Sequence, residues 1–124
     1  MDKYQALHDF WSSFGIGAYD ENTVPTGEYQ PELPYITYSV AVSDFDHPVN
    51  LYASIWYYGS SWGPITKKLT EIGTAIGRGG IIIPCDEGAI WIRKGRTFAQ
   101  RMSDPNDMIR RIYLTLGAEY LTAD

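Results

Sequence analysis

Apolar and polar positions alternate with two distinct periods along this chain, and the change of period marks out its elements. Tyr4, Leu7, Trp11 and Phe14 recur at spacings of three and four, which predicts a helix from about Asp2 to Phe14. Asp2 is placed to cap it, and Gly15 stands where a stop is expected. Residues 15–34 are rich in glycine, proline and acids and predict a long irregular connection, with room for a short strand around Ile16–Tyr19. The period then falls to two. In "YITYSVAV", from Tyr35, residues Ile36, Tyr38, Val40 and Val42 share one face. In "NLYASIWYY", from Asn50, Leu51, Ala53, Ile55 and Tyr57 face one way, and Tyr52, Ser54, Trp56 and Tyr58 face the other. The intervening "SDFDHP" has turn chemistry and predicts a hairpin.

The helical period returns from about Ser61 to Arg78, with Ser61 or Gly63 as cap, Pro64 in the first turn, and Ile65, Leu69, Ile72 and Ile76 as the buried stripe. Gly73 and Gly77 each cost roughly 1 kcal/mol relative to alanine in a helix, which suggests close approach to a sheet. Gly79-Gly80 is the expected stop. "GIIIPC" and "AIWIRK" flank Asp86-Glu87-Gly88 as a second hairpin, and "GRTFAQRMSDPND" reads as a basic connector with a turn at Asp104-Pro105-Asn106. Met108 to Leu121 alternates throughout. As one strand it spans about 45 Å, which predicts bending or projection beyond the sheet and an edge on which a neighbour's sheet could pair. The predicted fold class is α+β, a mainly antiparallel β-sheet with two helices packed on one face, in a single domain over 1–124.

A chain of 124 residues can bury a core without a staple, and its single Cys85 excludes an internal disulfide. No basic leader with an apolar run opens the sequence, and the longest apolar stretch, Ile81–Cys85, is too short to span a membrane. The unusual quantity is 15% aromatic residues, including ten tyrosines and four tryptophans, whose polar-tipped rings suit interfaces better than deep cores. Charge is uneven. Residues 1–50 hold eight acids and one base; residues 51–124 hold seven acids and nine bases, so a chain of net charge -5 divides into -7 and +2. The acidic half argues against a protein that coats nucleic acid, and the two-signed distribution suits contact with other copies.

Chemistry is sparse. His8 flanks the helical stripe, His47 sits in a turn, and Cys85 follows a buried run, so two distant histidines and one cysteine fit no zinc pattern. "GRGG" at 77–80 ends a helix, whereas a phosphate cradle opens one. No acid, base or nucleophile constellation emerges, so no catalytic, cofactor-binding or metal-binding residue is assigned and no cofactor is expected. The basic group Arg93, Lys94, Arg96, Arg101, Arg110 and Arg111 surrounds the second hairpin and the start of the last strand, and is expected to converge as a contact surface. Tyr52, Trp56 and Tyr58 form an aromatic face that suits either a neighbouring subunit or, as a stacking platform, a small ligand or carbohydrate. Asp20 and Glu21 supply acids from the opposite half.

The segments "ALHDFWSSFGIGAYDENTVP", "LPYITYSVAVSDFDHPV", "ASIWYYGSSW" and "FAQRMSDPNDMIRRIYLTL" with "AEYLT" together resemble the small tail-terminator or tail-completion proteins of long-tailed phages and prophages, also labelled minor structural proteins. The resemblance runs in order along nearly the whole chain. It implies a non-enzymatic virion protein of the tail or neck, assembled in the bacterial cytoplasm. Such proteins form a ring, usually a hexamer, that caps the tail tube and offers a surface to the head connector or neck protein in head-tail joining. DNA passes through the channel without being read, and no membrane is involved. The interface residues expected from this chain's own pattern are Arg93, Lys94, Arg96, Arg101, Arg110, Arg111, Tyr52, Trp56, Tyr58, Asp20 and Glu21.

Overall fold

The computed structural model describes residues 1–43 and 47–122. Helix α1 spans Lys3–Ser12 and helix α2 spans Gly63–Ile76. Six strands follow the order β1 (Gly17–Asp20), β2 (Tyr35–Tyr38), β3 (Val49–Tyr58), β4 (Ile81–Cys85), β5 (Gly88–Met102) and β6 (Ile109–Thr122). They form one sheet in the spatial order β1-β2-β3-β6-β5-β4, antiparallel except for the parallel pair β1 and β2. The α+β class follows directly from this arrangement.

Alternation decides which face is buried. Leu51, Ala53 and Ile55 of β3 lie beside Ile112, Leu114 and Leu116 of β6, and Ile90 and Ile92 of β5 continue the same surface. Ala6, Leu7, Phe10, Trp11 and Phe14 of α1, with Ile65, Ile72 and Ile76 of α2, close over it. Helix α1 contacts both β1 and β4, the two outermost strands. The sheet is therefore curled, and α1 bridges its two edges around one core. Unpaired edges invite association with other sheets, and a helix laid between them blunts that tendency. Asp2 caps α1 through its side chain, and the Met1 amine pairs with the Asp86 carboxylate in the β4–β5 turn.

Several expectations are corrected. The strand from Tyr35 stops at Tyr38, because the Ser39 hydroxyl accepts from the Tyr52 amide at 2.8 Å and so replaces a ladder carbonyl. Residues 44–46 of the predicted "SDFDHP" turn lie outside the described residues, although β2 and β3 pair antiparallel as a hairpin requires. Helix α2 ends at Ile76 with Gly77 as its cap at φ 74°, so Gly77 is a stop and the pair Gly79-Gly80 lies beyond it. Gly73 approaches side chains rather than sheet backbone, since an added Cβ would sit 3.5 Å from Lys94 Nζ and 3.6 Å from Phe98. The basic connector is in fact strand. β5 runs on to Met102, with a bulge between Lys94 and Ala99 where its register against β6 shifts.

The last strand is long, and it lies within the sheet for most of its length, running past β3 only at residues 119–122. β6 pairs with β3 from Ile109 to Ala118 and with β5 from Arg111 to Thr122, which places it at the centre of the sheet. Its β5 side is paired to its end, whereas on the β3 side the pairing stops at Val49 opposite Ala118, so among the described residues only 119–122 leave an edge open.

Candidate functional site: an aromatic and arginine lattice on the outer sheet face

The residues of β3 and β6 that alternate with the core positions point outward, and register brings them together. Trp56 lies opposite Arg111, Ser54 opposite Tyr113, and Tyr52 opposite Thr115. The Arg111 guanidinium sits 4.6 Å from the Trp56 ring centre and 5.6 Å from that of Tyr113, while its Nε donates to Ser54 Oγ at 3.0 Å. Tyr52 stacks on Tyr113 at 5.6 Å and 17°. Trp56 Nε1 donates to Thr37 Oγ1 at 2.9 Å and its ring leans on Tyr35, which meets Tyr19 edge-on at 5.7 Å. One continuous lattice thus crosses β1, β2, β3 and β6. Burial, helped by Tyr52 and Glu21 and opposed by Arg111, pushes the Tyr113 phenol up, so it stays protonated as a donor.

A second cluster lies further along the same face. Arg93 covers the Trp91 ring at 4.2 Å and donates to Glu119 Oε1 at 2.9 Å, and Trp91 Nε1 donates to the Gly79 carbonyl. Most of these rings are half-buried, while Tyr58 at the end of β3 is 64% exposed. Tyr, Trp and Arg held flat and pre-positioned are the side chains that protein interfaces enrich. The surface lies on the outside of the curl, and its rings stack on one another and on Arg111.

The predicted basic group does not converge into one patch. Arg93 and Arg111 belong to the outer face, whereas Lys94, Arg101 and Arg110 share the face that carries the helices. Arg101 and Arg110 both hold Trp62, with guanidinium carbons 4.6 Å and 5.3 Å from its ring centre. Arg110 donates to the carbonyls of Asp107, Ile109 and Ser60, and its buried Nε has no hydrogen-bond partner among the described residues. It is a clamp between two loops. Arg96 is exposed in the β5 bulge. Asp20 accepts from the Asn22 amide at 2.9 Å, which makes it a turn residue, and exposed Glu21 follows it.

His8 Nδ1 lies 2.9 Å from the Tyr38 hydroxyl and its Nε2 lies 3.3 Å from Ser12 Oγ. The Tyr38 phenol, pushed up by burial and Asp20, stays neutral, and its hydroxyl can donate to or accept from the His8 ring according to the tautomer. The chain of contacts pins α1 to β2. Among the described residues no three His, Cys, Asp or Glu side chains gather, and no helix is long and apolar enough to cross a membrane.

Tyr19, Tyr35, Thr37, Tyr113 and Trp91 complete the outer face without having been singled out from sequence. Parity placed Tyr113 beside Arg111 in the sequence, but the cross-strand register that sets them against Tyr52 and Trp56 has no local signal. Comparison with protein-family models and with curated protein sequences finds no match.

Proposed function

We propose that this protein is a non-enzymatic structural component of a phage virion, which caps the tail tube as an oligomeric ring and helps join the tail to the head. The observation that carries the reading is the outer sheet face, where Tyr52, Trp56, Arg111 and Tyr113 are locked together while still half-exposed. Locking side chains in advance removes part of the ordering cost of association. The resemblance to tail-terminator proteins supplies the biological context, and a curled sheet with helices on one side suits a subunit whose other side meets a partner.

In this reading the partners are other copies of the chain, the tail-tube protein and a head connector or neck protein, with DNA passing through the channel unread. The protein resides in the virion tail or neck and is assembled in the host cytoplasm. Rings that self-associate are expected in negative-stain images of the purified protein, each with a central channel wide enough for duplex DNA. Compact particles without a channel would contradict this role. A ligand-binding module would instead gather its aromatics around a concavity, and here they lie on the outside of the curl.

A further inference from the structure

A closed ring needs two different patches on each subunit, one meeting the other on the next copy. Resting on the ring reading, we propose that the acidic segment around Glu28, Tyr29 and Glu32 of one copy docks into the groove between α2 and the β5 bulge of the next.

The groove is open, about 520 Å³, and bounded by Leu69, Thr70, Gly73, Thr74, Lys94 and Phe98. It continues past Leu69 into a smaller hollow of about 210 Å³ that ends at Arg101. Gly73 lowers its floor, because no side chain stands between the helix and the Lys94 and Phe98 side chains. Cations mark the two ends: Lys94 over Phe98 at one, and Arg101 over Trp62 at the other. Neither makes an ion pair among the described residues.

The complementary piece lies on the same chain. Gly27–Tyr29 forms a 3-10 turn within the connection from β1 to β2, and Tyr29 is 76% exposed, the most exposed large hydrophobic among the described residues. Glu28 and Glu32 flank it, both exposed and both without an ion pair among the described residues. The step from Glu28 to Tyr29 lies in the 3-10 turn and rises about 2 Å, and the three residues on to Glu32 span at most about 10 Å, so the two acids stand no more than about 12 Å apart. Along α2, Lys94 lies beside Gly73 and Arg101 beside Thr66, a separation of about 10 Å at helical rise. The spacing of the acids therefore matches that of the cations, with Tyr29 left between them to cover Leu69 and Phe98. Because the segment and the groove are different surfaces, the contact is heterologous. It propagates from copy to copy and leaves the outer aromatic face available for a different protein.

Two single-cysteine proteins, Tyr29→Cys and Thr70→Cys, each also carrying Cys85→Ala, test the contact under mild oxidation. Mixed, they are expected to form a disulfide-linked pair at least tenfold faster than either alone. Reversing Lys94 and Arg101 to Glu in the Thr70→Cys protein should abolish that gain, and Glu28→Lys with Glu32→Lys in the other should restore it. A mixture that cross-links no faster than its components overturns the proposal, as does a gain indifferent to both charge reversals. Sedimentation of the unmodified protein separates the two readings. Rings without the cross-link overturn this contact alone, whereas the cross-link in a protein that never closes a ring overturns the ring.

Discussion

At the scale of single residues, Arg111 joins the outer lattice together. Its guanidinium faces two rings and its Nε bonds Ser54, so truncation removes stacking and a hydrogen bond at once. Arg111→Ala is expected to cost about 1 kcal/mol of stability in urea melts. Arg111→Lys should recover less than half of that, since an ammonium cannot stack flat or reach Ser54 with the same geometry. Tyr120 is the residue with the sharpest pH signature. Fully enclosed, it donates to the Ala41 carbonyl at 2.7 Å, and burial pushes its phenol up to about 12. Below the ordinary tyrosine value of about 10 both folded and unfolded chains hold the proton, so it adds no pH dependence there. Between about 10 and 12 the unfolded chain releases a proton that the folded chain retains, so stability falls as pH rises. Melts from pH 9 to 12 should show this fall, and Tyr120→Phe should flatten it in part. The remainder belongs to Tyr38, Tyr57 and Tyr113, each also raised first by burial.

At the scale of elements, β6 organises the sheet, because β3 and β5 both pair along it. Leu114 is wholly buried on its inner side, so Leu114→Ala is expected to cost about 2–5 kcal/mol in chemical denaturation. Thr115→Ala, one residue away on the outer side, should stay within about 0.5 kcal/mol. The alternation of β3 and β6 was legible because one face is packed and the other is not, and the stripes of α1 and α2 were legible for the same reason. The second half of β5 was not. Its bulge interrupts the register between Lys94 and Ala99, so the period of two is lost where Arg101 and Gln100 flank α2. The parallel partnership of β1 with β2 was equally hidden, since pairing across the long 21–34 connection has no local signal. The failed reading of "YITYSVAV" as one strand has a specific cause in the Ser39 hydroxyl. The outer face shows the same division: parity set Trp56 opposite the core face of β3, but only register brings Arg111 against it.

At the scale of the whole molecule, α1 holds the curl closed by reaching from β1 to β4, and Trp11 is its largest fully buried side chain. Trp11→Ala should cost about 3–5 kcal/mol and speed amide exchange in both edge strands together, because the two edges depend on one helix. The charge asymmetry acquires a place at this scale too, with Glu28 and Glu32 on one connection and Lys94 and Arg101 along one helix. Association that draws on such pairs weakens as salt screens them, so raising ionic strength should dissociate the assembly. The central claim is that this chain builds a closed ring, and sedimentation velocity across a range of protein concentrations tests it most directly. The account predicts one discrete species whose mass is a fixed multiple of 14.0 kDa and does not grow further with concentration. A protein that sediments as a 14.0 kDa monomer up to high concentration, or that grows without limit into open polymers, would contradict it.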